Sequence, residues 1–225
     1  MVEDIPYVIV NVAASLDGRI SLSGGKRVRL SSPEDKARVH KLRAECDAVA
    51  VGINTIINDD PKLYVNHRYA YAIEDPIRVV FDTALRIPPE ARILKRLPDG
   101  RHPMTIVFTS EERAQAAKEL GKRAVVEGIP LKGTMLDLGA ALHCLYSKYS
   151  VKRLMIEGGG MVIGRVLAEG LWNEMYLYLA PVFIGSNGVS ILNLELDSML
   201  ENQDIVDMEP MGEGVLLTIK REEGG

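Results

Sequence analysis

Short apolar runs alternate with longer stretches of helical period along most of the chain. Residues 7–15 (YVIVNVAAS) form a largely apolar run, and AVAVGI (48–53), IRVVFD (77–82), MTIVFT (104–109), RAVV (123–126) and RLMIE (153–157) repeat the pattern. Runs of this kind, rich in Val and Ile and lacking polar alternation, belong to strands buried on both faces. Between them the spacing of apolar positions predicts helices from Pro33 to about Glu45 and over 111–120, 137–148 and 161–169. Ser31 and Ser32 can cap the first helix, Ser31 and Glu34 have capping-box spacing, and Pro33 suits the opening turn. Strand and helix alternating in this way predict an α/β fold, a mixed, mostly parallel sheet with helices on both faces. The rhythm changes late in the chain. EMYLYLAPVFIG (174–185) reads as one long strand, and 204–221 reads as a C-terminal antiparallel hairpin turning near Gly212–Gly214. The Pro- and Gly-bearing stretch 85–103 reads as a loop rather than a boundary, so residues 1–225 are expected to form a single domain.

Composition narrows the classes. The chain has 225 residues, 47% hydrophobic and 26% charged, a globular balance rather than a disordered one. Its 27 basic and 31 acidic residues leave a net charge of −4, so nothing drives counterion release and no nucleic-acid partner is expected. Cys46 and Cys144 are far apart, which argues against a disulfide scaffold or a structural zinc site. The N-terminus MVEDIPYVIV is acidic and no apolar run reaches membrane-spanning length, so a cytoplasmic protein without a membrane partner is expected.

The segment RLMIEGGGMVIGRVLAEG (153–170) carries the clearest chemical signal. A buried strand enters three glycines, and a helical pattern opens directly after them. Glycines there let backbone N–H groups approach an anion, and the helix start adds partial positive charge. Three in a row exceed the needs of a plain turn, which favours a phosphate cradle. Ile163 stands where a G-x-G-x-x-G fingerprint needs its last glycine, and no P-loop motif is present. In VGINTIINDDPKL (51–63), polar residues follow a strand's carboxyl end, where open α/β sheets bind ligands. Asp59 and Asp60 there read as metal ligands or, more simply, as turn formers. Ser15 and Asp17 follow the first strand, with Asp17-Gly18 a strong turn dipeptide. Arg43 reads by itself as a solvated helix residue, and Lys26, Arg27 and Arg29 read likewise as solvated or else as an anion-binding loop. The four histidines have no metal-ligand spacing, and neither G-x-S-x-G nor a zinc-deaminase signature occurs. A chain with so little acid–base equipment leaves its hard chemistry to a cofactor.

Taken together, ASLDGRI (14–20), LSSPED (30–35), VHKLRAECDAVAVGINTIINDDPKL (39–63), RVVFDTALRIP (78–88), LMIEGGG (154–160) and LAPVFIG (179–185) resemble the pyrimidine reductases of riboflavin biosynthesis. The resemblance is to their standalone, archaeal-type members, which act on 2,5-diamino-6-ribosylamino-4(3H)-pyrimidinone 5′-phosphate. It implies a dihydrofolate-reductase-like fold, a homodimer, NADPH or else NADH as cofactor, no metal, and a phosphorylated pyrimidine whose ribosyl group becomes ribityl. Matching positions imply cofactor contacts at Ala13, Thr55, Asp59, Thr83, Gly158, Gly159, Gly160, Met161 and Val162. Substrate contacts fall on Arg27, Arg43, Leu63 and Glu157, with Glu157 and Asp59 the candidates for proton transfer. Where many relatives place an arginine this chain has Asn66, and Arg68 two residues on is the candidate replacement for a phosphate contact. Two other functions are compatible with the motifs: a dihydrofolate-type reductase of the same fold, and a nucleotide-binding domain without turnover.

Overall fold

The computed structural model describes residues 4–23, 28–117, 120, 123–192 and 203–221. The chain opens with β1 (Tyr7–Ser15), β2 (Arg19–Leu22), α1 (Pro33–Ala44), β3 (Ala48–Gly52), α2 (Ile53–Asp59) and β4 (Ile77–Phe81). A 3₁₀ turn (Arg92–Leu94) precedes β5 (Thr105–Ser110), α3 (Glu111–Ala116), β6 (Val125–Ile129) and the short pair β7 (Leu131–Lys132) and β8 (Met135–Leu136). Then come α4 (Leu138–Tyr149), β9 (Arg153–Gly158), α5 (Gly160–Ala168), β10 (Glu174–Ala180), β11 (Gly188–Ser190), β12 (Asp204–Met211) and β13 (Gly214–Lys220).

Nine strands form one sheet in the order β12-β13-β10-β1-β9-β3-β4-β5-β6. From β10 to β6 all neighbours run parallel, while β13 and β12 complete the other edge antiparallel. The fold is therefore the mixed, mostly parallel α/β arrangement that the sequence pattern predicts. Alternate residues of each central strand enter opposite cores. Val8, Val10, Val12, Ala48, Ala50, Val79 and Phe81 pack with Leu142 and Leu145 of α4 and Ile163 and Val166 of α5. Ile9, Val49, Val51, Val80 and Met155 pack on the other face with Leu42 of α1 and Ile56 of α2. Both faces are apolar because both are covered.

Four local expectations are revised. Ser32, not Ser31, is the N-cap of α1, accepting from the Asp35 N–H at 3.1 Å. With Pro33 at the first helical position, the residue before it takes the extended cap conformation. Residues 53–59, read from the sequence as polar loop, form the two-turn helix α2, with Ile53 and Ile56 buried three apart. β10 stops at Ala180, five residues early, because Pro181 has no N–H for a sheet ladder. β2 and β11, for which the sequence predicts no strands, pair as a small antiparallel ribbon. Lys26 and Arg27 lie outside the described residues.

Candidate active site

β1, β9 and β3 lie side by side, and the chain leaves their carboxyl ends in different directions. From β1 it moves through α1 to β3 on one side, and from β9 through α5 to β10 on the other. A switch of this kind opens a crevice beyond the strand ends. The crevice here has a volume of about 1050 Å³. It gathers Ala13 from β1, Thr55 and Asp59 from α2, Arg43 from α1, Leu63, Glu157, Gly158–Gly160 and Met161. These residues, separated by up to 148 positions in sequence (13 to 161), are nearly the whole predicted set.

The glycine turn is built as a close approach. Gly159 has φ +87°, and a Cβ there would lie 3.0 Å from both Cα and N of Gly52. A Cβ on Gly158 would meet Thr55 Oγ1 at 3.0 Å, and one on Gly160 would meet Ile20 Cδ1 at 3.0 Å. Gly159 is also the N-cap of α5 and supplies no side-chain acceptor. The first N–H groups of the helix therefore have no side-chain partner and suit an anion. Such a glycine-walled, donor-rich turn fits the pyrophosphate of a dinucleotide. The β2–β11 ribbon roofs this end of the cleft through Ile20, Ser21, Leu22 and Val189. Asp17 latches the roof. Its carboxylate accepts from Ser15 Oγ at 2.6 Å and from the N–H groups of Ile184 (3.0 Å) and Gly185 (2.6 Å). Those bonds, Ser15 foremost, hold its pKa down at about 2. The turn reading of Asp17 is thus correct, and the turn has a partner far along the chain.

Beside the turn, Arg43 of α1 and Glu157 at the end of β9 form a bidentate pair, Nε to Oε1 and Nη2 to Oε2, both at 2.5 Å. Their side chains are only 13% and 11% exposed. Burial works against the Arg43 charge, but the Glu157 carboxylate more than offsets this and raises the guanidinium pKa. Nη1 of Arg43 also donates to the Tyr64 carbonyl at 3.0 Å. The arginine expected to meet a substrate phosphate is thus already paired, and among the described residues the lysines and arginines left along the cleft are Arg29, Lys36 and Lys62.

Three predicted residues stand elsewhere. Thr83 lies past β4, two strands from β9, where its carbonyl accepts from Ser110 N–H and Thr109 Oγ1, and it does not line the cleft. Val162 is buried in the core under α5 rather than exposed to the cleft. Arg68 is exposed and outside the cleft wall, while Asn66 itself lines it. Arg68 therefore does not take the place of an arginine at Asn66. Asp60 is the left-handed C-cap of α2 (φ 42°), and its Oδ1 accepts from Arg92 N–H at 2.7 Å, a turn role. Sequence reasoning missed Asn11, His40 and Tyr64, all on the cleft wall, whereas Asn58, one of the polar residues noted in 51–63, lines the cleft as expected of that segment. Asn58 falls one helical turn after Thr55, a spacing visible only once residues 53–59 are read as helix. Among the described residues, no cluster of three or more His, Cys, Asp or Glu could hold a metal, and no helix is long and apolar enough to cross a membrane.

Comparison with known proteins agrees with this geometry. Residues 6–217 match the family model of the RibD C-terminal domain. Over 224 residues the chain is 38% identical to the 2,5-diamino-6-ribosylamino-4(3H)-pyrimidinone 5′-phosphate reductase of Archaeoglobus fulgidus, covering 96% of this chain and 98% of that protein. The reductase of the same name from Methanothermobacter thermautotrophicus is 37% identical over 205 residues, 91% of this chain and 90% of that protein. Among solved structures, RibD of Acinetobacter baumannii superposes with a TM-score of 0.81 at 26% identity, over 97% of this chain. This chain spans 58% of that longer RibD chain.

Proposed function

The chain belongs to the RibD C-terminal domain family, and from that premise we propose how its cleft works as the active site of a reductase in riboflavin biosynthesis. The reaction reduces the ribosyl group of 2,5-diamino-6-ribosylamino-4(3H)-pyrimidinone 5′-phosphate to a ribityl group, with a nicotinamide cofactor. The observation that carries the reading is the uncapped glycine turn of α5 lining one cleft together with the buried Arg43–Glu157 pair.

The bound cofactor supplies a hydride for C1′ of the ring-opened imine, whose nitrogen gains a proton. The turn Gly158–Gly160 holds the pyrophosphate with backbone N–H groups, and Thr55 and Ala13 flank it. Glu157 gives its charge to Arg43 but keeps a second acceptor site on each oxygen, which suits the amino or hydroxyl donors of the substrate. A carboxylate so engaged is a better acceptor than acid, which leaves Asp59, or water it orders, to exchange the proton. Leu63 and Tyr64 wall the pyrimidine side, and Arg29 and Lys36 offer positive charge to the 5′-phosphate. The roof over the turn excludes water from the hydride path. NADPH is the preferred cofactor, with NADH the slower one. The protein works as a homodimer that joins through β12, the sheet edge where Ile205, Val206 and Met208 are exposed. Loss of NADPH absorbance on adding the phosphorylated pyrimidine tests the activity. No turnover, with the cofactor still bound, would leave a binding domain instead.

A further inference from the structure

The cleft wall on the substrate side is a segment, residues 63–66, that belongs to no strand or helix and opens on Leu63 at a positive φ of 47°. Its backbone is held almost wholly by side chains from elsewhere. Val65 N–H donates to Asp75 Oδ1 at 2.9 Å, and Val65 C=O accepts from Arg101 at 3.4 Å. Tyr64 C=O accepts from Arg43 Nη1, and Asn66 N–H donates to Nδ1 of His40 at 3.2 Å. Backbone groups without a ladder need such partners, since each left bare in a buried place is costly. His40 adds ring contacts on both sides of its hydrogen bond. It stacks on Tyr69, with centroids 5.2 Å apart and planes at 11°, and meets Tyr64 edge-on at 6.2 Å. Only 6% of it is exposed. It lies one helical turn before Arg43 on the same face of α1, so one helix grips the segment twice.

We propose that His40 is a positioning residue for this reaction: it clamps residues 63–70 against α1 and thereby fixes the substrate side of the cleft without touching the cofactor side. The role depends on Nδ1 accepting, which places the proton of the neutral ring on Nε2. Burial first, then the nearby Arg43 charge, keeps the ring neutral, with a pKa lowered to about 4. Leu63, Tyr64 and Asn66 all line the cleft, and the glycine turn lies across it. Releasing the segment should therefore loosen pyrimidine binding and leave the dinucleotide alone. The functional half of this inference rests on the reductase reading of the cleft, and the clamp itself does not.

Two variants separate the hydrogen bond from the ring. His40→Asn keeps an acceptor near the place of Nδ1 and loses the stacking. His40→Phe keeps the stacking and leaves the Asn66 N–H without its partner. Hydrogen exchange of the Asn66 amide needs no substrate and should be faster in His40→Phe, roughly tenfold, than in the native chain, with His40→Asn restoring most of the protection. With NADPH saturating, His40→Phe should raise KM for the phosphorylated pyrimidine roughly five- to thirtyfold with a smaller change in kcat, and His40→Asn should recover most of it. The NADPH Kd should stay within about twofold in both, because the glycine turn is untouched. Unchanged Asn66 protection in His40→Phe would overturn the clamp. Equal losses in the two variants, or NADPH binding lost alongside the substrate, would also overturn it, because the acceptor would then not be what matters. Restored protection in His40→Asn with no pyrimidine turnover even in the native chain would keep the clamp and fault the reductase reading instead.

Discussion

Replacing Glu157 by glutamine tests what holds the substrate side of the cleft together. In the native chain the carboxylate accepts two hydrogen bonds from Arg43, each 2.5 Å long, between side chains 13% and 11% exposed. Glutamine keeps the volume but offers one neutral acceptor to a guanidinium that stays charged. Hydrogen bonds to charged groups contribute about 1.5–3 kcal/mol each, and removing the partner of a buried ion costs about 3–5 kcal/mol. The pair borders an open cleft, so water offsets part of this and the expected loss is about 2–3 kcal/mol. For a domain of this length each kcal/mol moves Tm by about 2–4 °C, so Tm should fall by roughly 4–12 °C. Arg43→Ala frees Glu157 to turn toward the cleft water and should cost less, about 1–2 kcal/mol.

The double variant should lose less than the sum of the two, with a coupling of about 1–3 kcal/mol. Urea unfolding of the four proteins measures the coupling, and steady-state turnover should show kcat/KM down tenfold or more in each variant. Additive losses, or a stability change in Glu157→Gln within about 0.5 kcal/mol, would refute the reasoning. Arg43 would then be free to serve the substrate phosphate directly, as the sequence motifs alone imply.

Three further outcomes follow from the same geometry. Gly159→Ala should destabilise the fold by about 1–3 kcal/mol, from its positive φ and a Cβ only 3.0 Å from the Gly52 backbone; Gly160→Ala, whose Cβ crowds only the movable tip of Ile20 (3.0 Å) and makes ordinary contacts with Ser190 O (3.6 Å) and Val189 Cγ1 (3.8 Å), should keep its Tm and weaken NADPH roughly tenfold by fluorescence titration. His40 stays neutral in the folded chain down to a pKa of about 4, whereas in the unfolded chain it takes up its proton near the ordinary 6.5. Its contribution to stability is therefore complete above about pH 6.5 and lost as pH falls toward 4, by up to about 3 kcal/mol. Urea unfolding across that range should show the decline, and His40→Asn should flatten it. Met208→Lys on the exposed edge strand β12 should shift the proposed dimer toward monomer in size-exclusion chromatography at micromolar concentration, and elution of the native chain as a monomer would refute the proposal.

Much of the architecture was legible because burial leaves a local record. Seven parallel strands covered on both sides require apolar residues at consecutive positions, and Val8–Val10, Val49–Val51 and Ile106–Phe108 are written that way. The glycine turn was legible for a similar reason, since three glycines between a strand and a helix reflect a close approach that any side chain would fill. Helix α2 was not legible, because five of its seven residues are not buried and its two buried isoleucines are too few to establish a period. β2 and β11 escaped notice because each is short and partly exposed, and what makes them strands is their pairing across 166 residues of chain (22 to 188).

The sequence by itself determined which strands would be buried on both faces and that a glycine turn would follow the strand at 153–157 and open a helix. It could not decide neighbours. Strand order places β9 between β1 and β3, which carries Glu157 to Arg43, 114 residues away, and places β10 on the other side of β1, which brings the Asp17 carboxylate to the backbone of Ile184 and Gly185. A solvated arginine on a helix and an arginine locked to a buried carboxylate look identical in sequence. Hydrophobic periodicity reports the environment of each residue separately, whereas a charge pair depends on distance in space, and that distance exists only once the sheet has assembled.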